Sequence, residues 1–122
     1  MRKKILIVED ELSIVQLLSL VLAKAGYETH VCQSGRDAIA KMKEVKPQLV
    51  LLDVMLPGLD GRAIVSIMEE DEDLSNIPVI VTSALVESEA MFRRFAQVKN
   101  FCLKPFALKD LVNKVKEALG DL

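Results

Sequence analysis

The sequence predicts an α/β chain with one doubly wound, five-stranded parallel sheet of order 2-1-3-4-5 and five helices. Three observations carry this. Short apolar runs alternate with helix-spaced stretches five times over, which calls for helices on both sheet faces and right-handed crossovers. The inner runs are apolar without a break, as strands covered on both faces must be. The inner runs also end in residues able to do chemistry, and in a parallel sheet those ends share one edge.

Ile5 to Val8 is the first strand, ending at Glu9 and Asp10. Ile14, Leu17, Leu18, Val21, Leu22 and Ala25 follow at helical spacing, and Gly26 stops that helix. Leu12, Val15 and Leu20 lie off this stripe and either widen the core face or form a partner-docking patch. Tyr27 to Cys32 alternates in character, as an edge strand does, and holds His30, to which no role is assigned. Ser34 and Gly35 make a turn, and Ala38, Ile39 and Met42 give a second helix that ends before Pro47. Leu49 to Leu52 runs into Asp53, and Pro57, Gly58 and Gly61 predict a loop beyond it.

Ala63, Ile64, Ile67 and Met68 mark a third helix, with the acids Glu69 to Asp73 as its solvated end. Val79 to Val81 is a buried strand ending in Thr82, Ser83 and Ala84. Ala90, Phe92, Phe95 and Ala96 suggest a less regular fourth helix, and Phe101 to Leu103 a short fifth strand before Lys104, Pro105 and Phe106. Leu108, Leu111, Val112, Val115 and Leu119 form a final amphipathic helix closed by Gly120. Residues 1–122 are expected to be one domain with no output segment.

Composition narrows the function. Hydrophobic residues make up 51% of the 122, which excludes a disordered chain, and the net charge of −2 offers no basic face for nucleic acid. No apolar run approaches the ~20 residues of a membrane span, and Ile5 to Val8 is too short for a signal peptide. Cys32 and Cys102 fall on opposite edge strands, some ~19 Å apart at ordinary strand spacing. Two cysteines so separated stay reduced, which fits a cytoplasmic location.

The strand ends bring Glu9, Asp10 and Asp53 together, with Ser83 and Lys104 to one side. At ~5 Å and an effective dielectric of ~20, each pair of like charges costs about 3 kcal/mol. A hard divalent cation offsets that, and oxygen donors with room for water suit magnesium. Asp53 is the nucleophile candidate, because carboxylates form acyl phosphates by in-line displacement. Lys104 would stabilise charge on the transferred group, and Ser83 could hydrogen-bond it. The Lys104–Pro105 bond is a candidate cis peptide.

These residues resemble the receiver domain of two-component response regulators, a CheY-like, flavodoxin-like fold. The resemblance spans the whole chain and is carried by ILIVEDE, LLDVMLPGLDG, PVIVTSA and KPF. It implies that Asp53 is the phosphoacceptor and that Asp10 binds magnesium directly, with manganese a possible substitute. Glu9 would act largely through water, and the carbonyl of Met55 would be a third protein ligand. Lys104 matches the family lysine, Ser83 the switch hydroxyl and Phe101 the switch aromatic. A sensor histidine kinase or histidine phosphotransfer protein would supply the phosphoryl group, and the domain would catalyse transfer to itself and its own slow dephosphorylation. Its output would be a downstream protein or a fused domain, with a possible homodimer on the helix 4–strand 5–helix 5 face.

The sequence departs from the family in three places. Ala96 to Asn100 replaces the usual Gly-Ala pair and acid, Phe101 stands where Tyr is commoner, and the switch hydroxyl is Ser rather than Thr. The alternative reading is a phosphorylation-independent interaction module, against which the full acid, hydroxyl and lysine set argues. A flavodoxin-like cofactor binder needs a phosphate-cradling first loop, and Glu9-Asp10-Glu11 would repel phosphate. An aspartyl phosphatase usually has a second Asp two residues on, where this chain has Met55.

Overall fold

The computed structural model describes residues 2–56 and 60–121. The strands are β1 (Lys4–Val8), β2 (Glu28–Cys32), β3 (Leu49–Asp53), β4 (Val79–Ser83) and β5 (Val98–Leu103). The helices are α1 (Leu12–Lys24), α2 (Ala38–Val45), α3 (Gly61–Glu70), α4 (Ser88–Phe92) and α5 (Leu108–Leu119). All strands pair in parallel in the order β2-β1-β3-β4-β5, as expected. Pro57 and Gly58 of the expected loop lie outside the described residues.

Pleat parity sorts the apolar strands onto two cores. Ile5, Ile7, Leu49, Leu51, Ile80 and Cys102 pack with Leu18 and Leu22 of α1 and with Leu111 and Val115 of α5. Leu6, Val8, Val50, Leu52, Val79 and Val81 pack on the other face with Met42, Ile64, Met68, Phe92 and Phe95. Each such buried aliphatic side chain is worth about 1.5–3 kcal/mol relative to exposure. Continuous apolar strands are what a sheet with two cores requires. Cys32 and Cys102 are both buried and free, on opposite edge strands and in opposite cores.

Several local expectations need correction. Gly61 opens α3 rather than sitting in the loop, with Asp60 as its N-cap, the carboxylate accepting from Arg62 N–H. The inward face of α3 holds Val65, whereas Ile67 is 44% exposed. The α4 helix is one short turn ending at Phe92, because β5 starts at Val98 and not at Phe101. Between them Gln97 is buried, its amide donating to the carbonyls of Leu74 and Ile77. That side chain ties the chain down before β5 and leaves no length for a longer helix.

On α1, Val15 joins the core, but Leu12 and Leu20 are exposed, and so is Leu17, which the helical stripe had turned inward. Gly26 ends the helix with φ of 99°, in the left-handed region open to glycine.

Candidate functional site

Parallel pairing sets the level of each strand end. Val8 pairs with Leu52 and Asp53 with Thr82, so Glu9 follows β1 at the height where Asp53 closes β3. Parity then sets direction. Asp53 continues the Leu49–Leu51 side of its strand, the α1–α5 side, and Lys104 continues the side of Cys102. Ser83 is out of phase with them. It follows Val79 and Val81, which face the α2–α3–α4 core.

The carboxylates of Glu9, Asp10 and Asp53 each offer an oxygen within 4.8 Å of the others, close enough to share one metal ion. Asp53 is only 4% exposed, so burial reaches one residue further than the end of the apolar run suggested. Its Oδ1 accepts from the N–H of Met55 at 3.0 Å, and its Oδ2 accepts from Lys104 Nζ at 3.2 Å. Glu9 is 2% exposed, and its Oε1 accepts from Lys104 at 2.7 Å while Oε2 accepts from the N–H of Glu11. Asp10 is the exposed member.

Burial pushes the Glu9 carboxyl above its ordinary pKa, and the nearby Asp53 charge adds to this. Lys104 and the Glu11 N–H oppose the rise without cancelling it. For Lys104, burial favours the neutral amine, but its bonds to Glu9 and Asp53 outweigh that and hold the ammonium above its usual range. One ammonium against three carboxylates leaves net negative charge at the mouth of the sheet. The three carboxylates offer oxygen ligands, the kind that a hard divalent cation takes. The donor set therefore fits such an ion. The Lys104–Pro105 peptide is cis, as the sequence suggested.

Ser83 is fully buried but does not join the carboxylates. Its Oγ accepts from the N–H of Leu85 at 3.0 Å and lies 3.0 Å from Oγ of Ser88. Phe101 is half-buried against the α4 side of the sheet. Met55 is present at the site through its N–H, while its side chain is 56% exposed.

Sequence reasoning missed the direct Glu9–Lys104 pair and Ser88. The first was masked because Lys104 was assigned to the transferred group alone. The second carries no pattern signal, since a serine five residues past a strand end is indistinguishable from a helix cap.

A parallel sheet of this order with an acid cluster and a lysine at its carboxyl edge has the architecture of a CheY-like receiver fold. The family model of the response regulator receiver domain matches residues 5–116, and the chain belongs to that family. Among its relatives is the DNA-binding response regulator MtrA of Mycobacterium tuberculosis, 32% identical over 120 residues, covering 98% of this chain and 51% of MtrA. The regulatory protein VanRB of Enterococcus faecalis is 34% identical over 117 residues, covering 95% of this chain and 52% of VanRB. The chain thus spans about half the length of the curated relatives it matches.

Solved structures agree. The receiver domain of a signal transduction histidine kinase from Syntrophus aciditrophicus superposes with a TM-score of 0.85 at 30% identity, covering 98% of this chain and 92% of that one. The chemotaxis response regulator CheY4 of Vibrio cholerae gives 0.87 at 25% identity, covering 97% and 99%. Among the described residues no helix is long and apolar enough to cross a membrane.

Proposed function

We propose that Asp53 accepts a phosphoryl group from a phosphohistidine of a sensor kinase or phosphotransfer protein, and that residues 1–122 work as one receiver unit. One observation carries this reading: three carboxylates within 4.8 Å, two of them also bound to the half-buried Lys104, at the carboxyl edge of the sheet.

Glu9, Asp10, Asp53 and the carbonyl of Met55 would hold magnesium, or manganese in its place. The bound ion supplies charge neutralisation for an incoming phosphoryl group. The chain does the rest. The N–H of Met55 and the ammonium of Lys104 fix the Asp53 carboxylate. A carboxylate oxygen forms the new bond to phosphorus as the phosphorus–nitrogen bond breaks, and the leaving imidazole keeps that electron pair. Lys104 then pairs with the transferred oxygens. Ser83 and Phe101 report the added charge to the α4–β5–α5 face, which would meet a downstream protein, a fused output domain or a second copy.

The partner's docking place is supported by an apolar groove of about 380 Å³ beside the site. It is lined by Ile14, Leu17 and Leu18 of α1 and by Pro105, Phe106 and Leu108 before and within α5. Exposed Leu12 and Leu20 extend the apolar surface of α1.

The test is intact mass after incubation with acetyl phosphate and magnesium. Wild type should gain one phosphoryl group and Asp53→Asn none. Equal labelling of both would assign the acceptor elsewhere, and no labelling of either would favour a phosphorylation-independent module.

A further inference from the structure

The hydroxyl expected to sense the phosphoryl group is already engaged. Ser83 Oγ is held by the N–H of Leu85 and lies 3.0 Å from Ser88 Oγ, on the first residue of α4. Both serines are buried, at 0% and 3% exposure. Pleat parity turns Ser83 toward the α4 side and Asp53 toward the α1–α5 side. A move of Ser83 toward a group on Asp53 would therefore carry it away from Ser88. Its departure would strip a buried hydroxyl of its partner, and such groups are costly to leave unpaired.

Resting on the phosphoacceptor reading of Asp53, we propose that Ser88 is a positioning residue that holds Ser83 away from Asp53 in the unphosphorylated protein. The first turn of α4 thereby sets the cost of switching. Ser88 touches no reacting atom and acts only through Ser83. Removing its hydroxyl lowers the cost of moving Ser83 and favours the phosphorylated-like state.

Two measurements test this. The first is amide hydrogen exchange at Leu85 in metal-free, unphosphorylated protein. Leu85 should exchange faster in Ser88→Ala, because Ser83 is no longer pinned. The second is the affinity for beryllofluoride with magnesium, a stable mimic of the acyl phosphate. Ser88→Ala should bind it about three- to tenfold more tightly, the worth of one net hydrogen bond. Ser88→Cys, similar in size and a weaker hydrogen-bonding group, should shift the same way by less. In a Ser83→Ala background, Ser88→Ala should change nothing further.

A folded Ser88→Ala that binds no more tightly than wild type overturns the proposal, and so does a gain that persists without Ser83. If wild type takes up no beryllofluoride, the phosphoacceptor reading fails, and Leu85 exchange alone decides the Ser88 contact. Unchanged exchange there overturns it, and faster exchange supports it.

Discussion

Lys104 Nζ lies 2.7 Å from Glu9 Oε1 and 3.2 Å from Asp53 Oδ2, so the lysine that closes β5 is bound more closely to the first strand's acid than to the third's. The ammonium thus joins one edge of the sheet across β1, β3 and β5. With all three side chains largely buried, it is the cation that makes two inward carboxylates tolerable. Lys104→Met keeps much of the apolar stem and removes the charge. It should cost about 3 kcal/mol in urea unfolding without metal, the usual penalty for orphaning buried charges. In a Glu9→Gln background the loss should be smaller, because one of the orphaned charges is gone. Equal losses in both backgrounds would show that the Glu9 contact contributes nothing.

Magnesium should stabilise the wild type by mass action, by about 2.7 kcal/mol at a hundredfold its dissociation constant. Asp10 is the exposed acid of the cluster, with the smallest structural role. Asp10→Asn should therefore fold normally, gain slightly in stability without metal through lost repulsion, and lose most of the magnesium response. An unchanged response would remove Asp10 from the ion's ligands.

Tyr27 is buried where β2 begins, and its hydroxyl donates to Asp121 Oδ2 at 2.8 Å while Lys3 bonds Oδ1 of the same carboxylate. Burial, reinforced by Asp121, pushes its phenol up from 10.0 to about 12. A raised folded-state pKa means that the folded protein holds the proton more tightly. The stabilisation is complete below 10.0 and is lost as pH rises through about 12. Tyr27 is the chain's single tyrosine and there is no tryptophan, so tyrosinate absorbance reads it alone. Native protein should ionise later than unfolded protein, and Asp121→Asn should bring the transition downward. Coincident native and unfolded titrations would refute the burial argument.

Gly61 opens α3 against the segment that leaves Asp53. A Cβ there would meet Val54 Cγ1 at 2.9 Å and the Val54 Cα at 3.1 Å. Alanine is the better helix former by about 1 kcal/mol, but the contact includes backbone that cannot rotate away. Gly61→Ala should destabilise by about 1–3 kcal/mol, as overpacking does. A stability equal to wild type in urea would mean that the Val54 backbone gives way freely.

Sequence alone determined the order of elements, the parallel sheet and the edge at which the acids gather. Unbroken runs such as Leu49–Leu52 need two covered faces, and parallel strands put their carboxyl ends together whatever the loops do. Sequence could not decide which side chain meets which at that edge. Glu9 rather than Asp10 takes Lys104, Ser83 meets Ser88 rather than the carboxylates, and Leu17 lies outward on α1. Such outcomes turn on pleat parity at the last strand residue and on the path of loops and short turns, where a rotation of one residue redirects a side chain. Only the packed tertiary structure sets those rotations: the Lys104 bond to Glu9 spans 95 residues, and even the local Ser83–Ser88 contact depends on how the first turn of α4 packs over the end of β4.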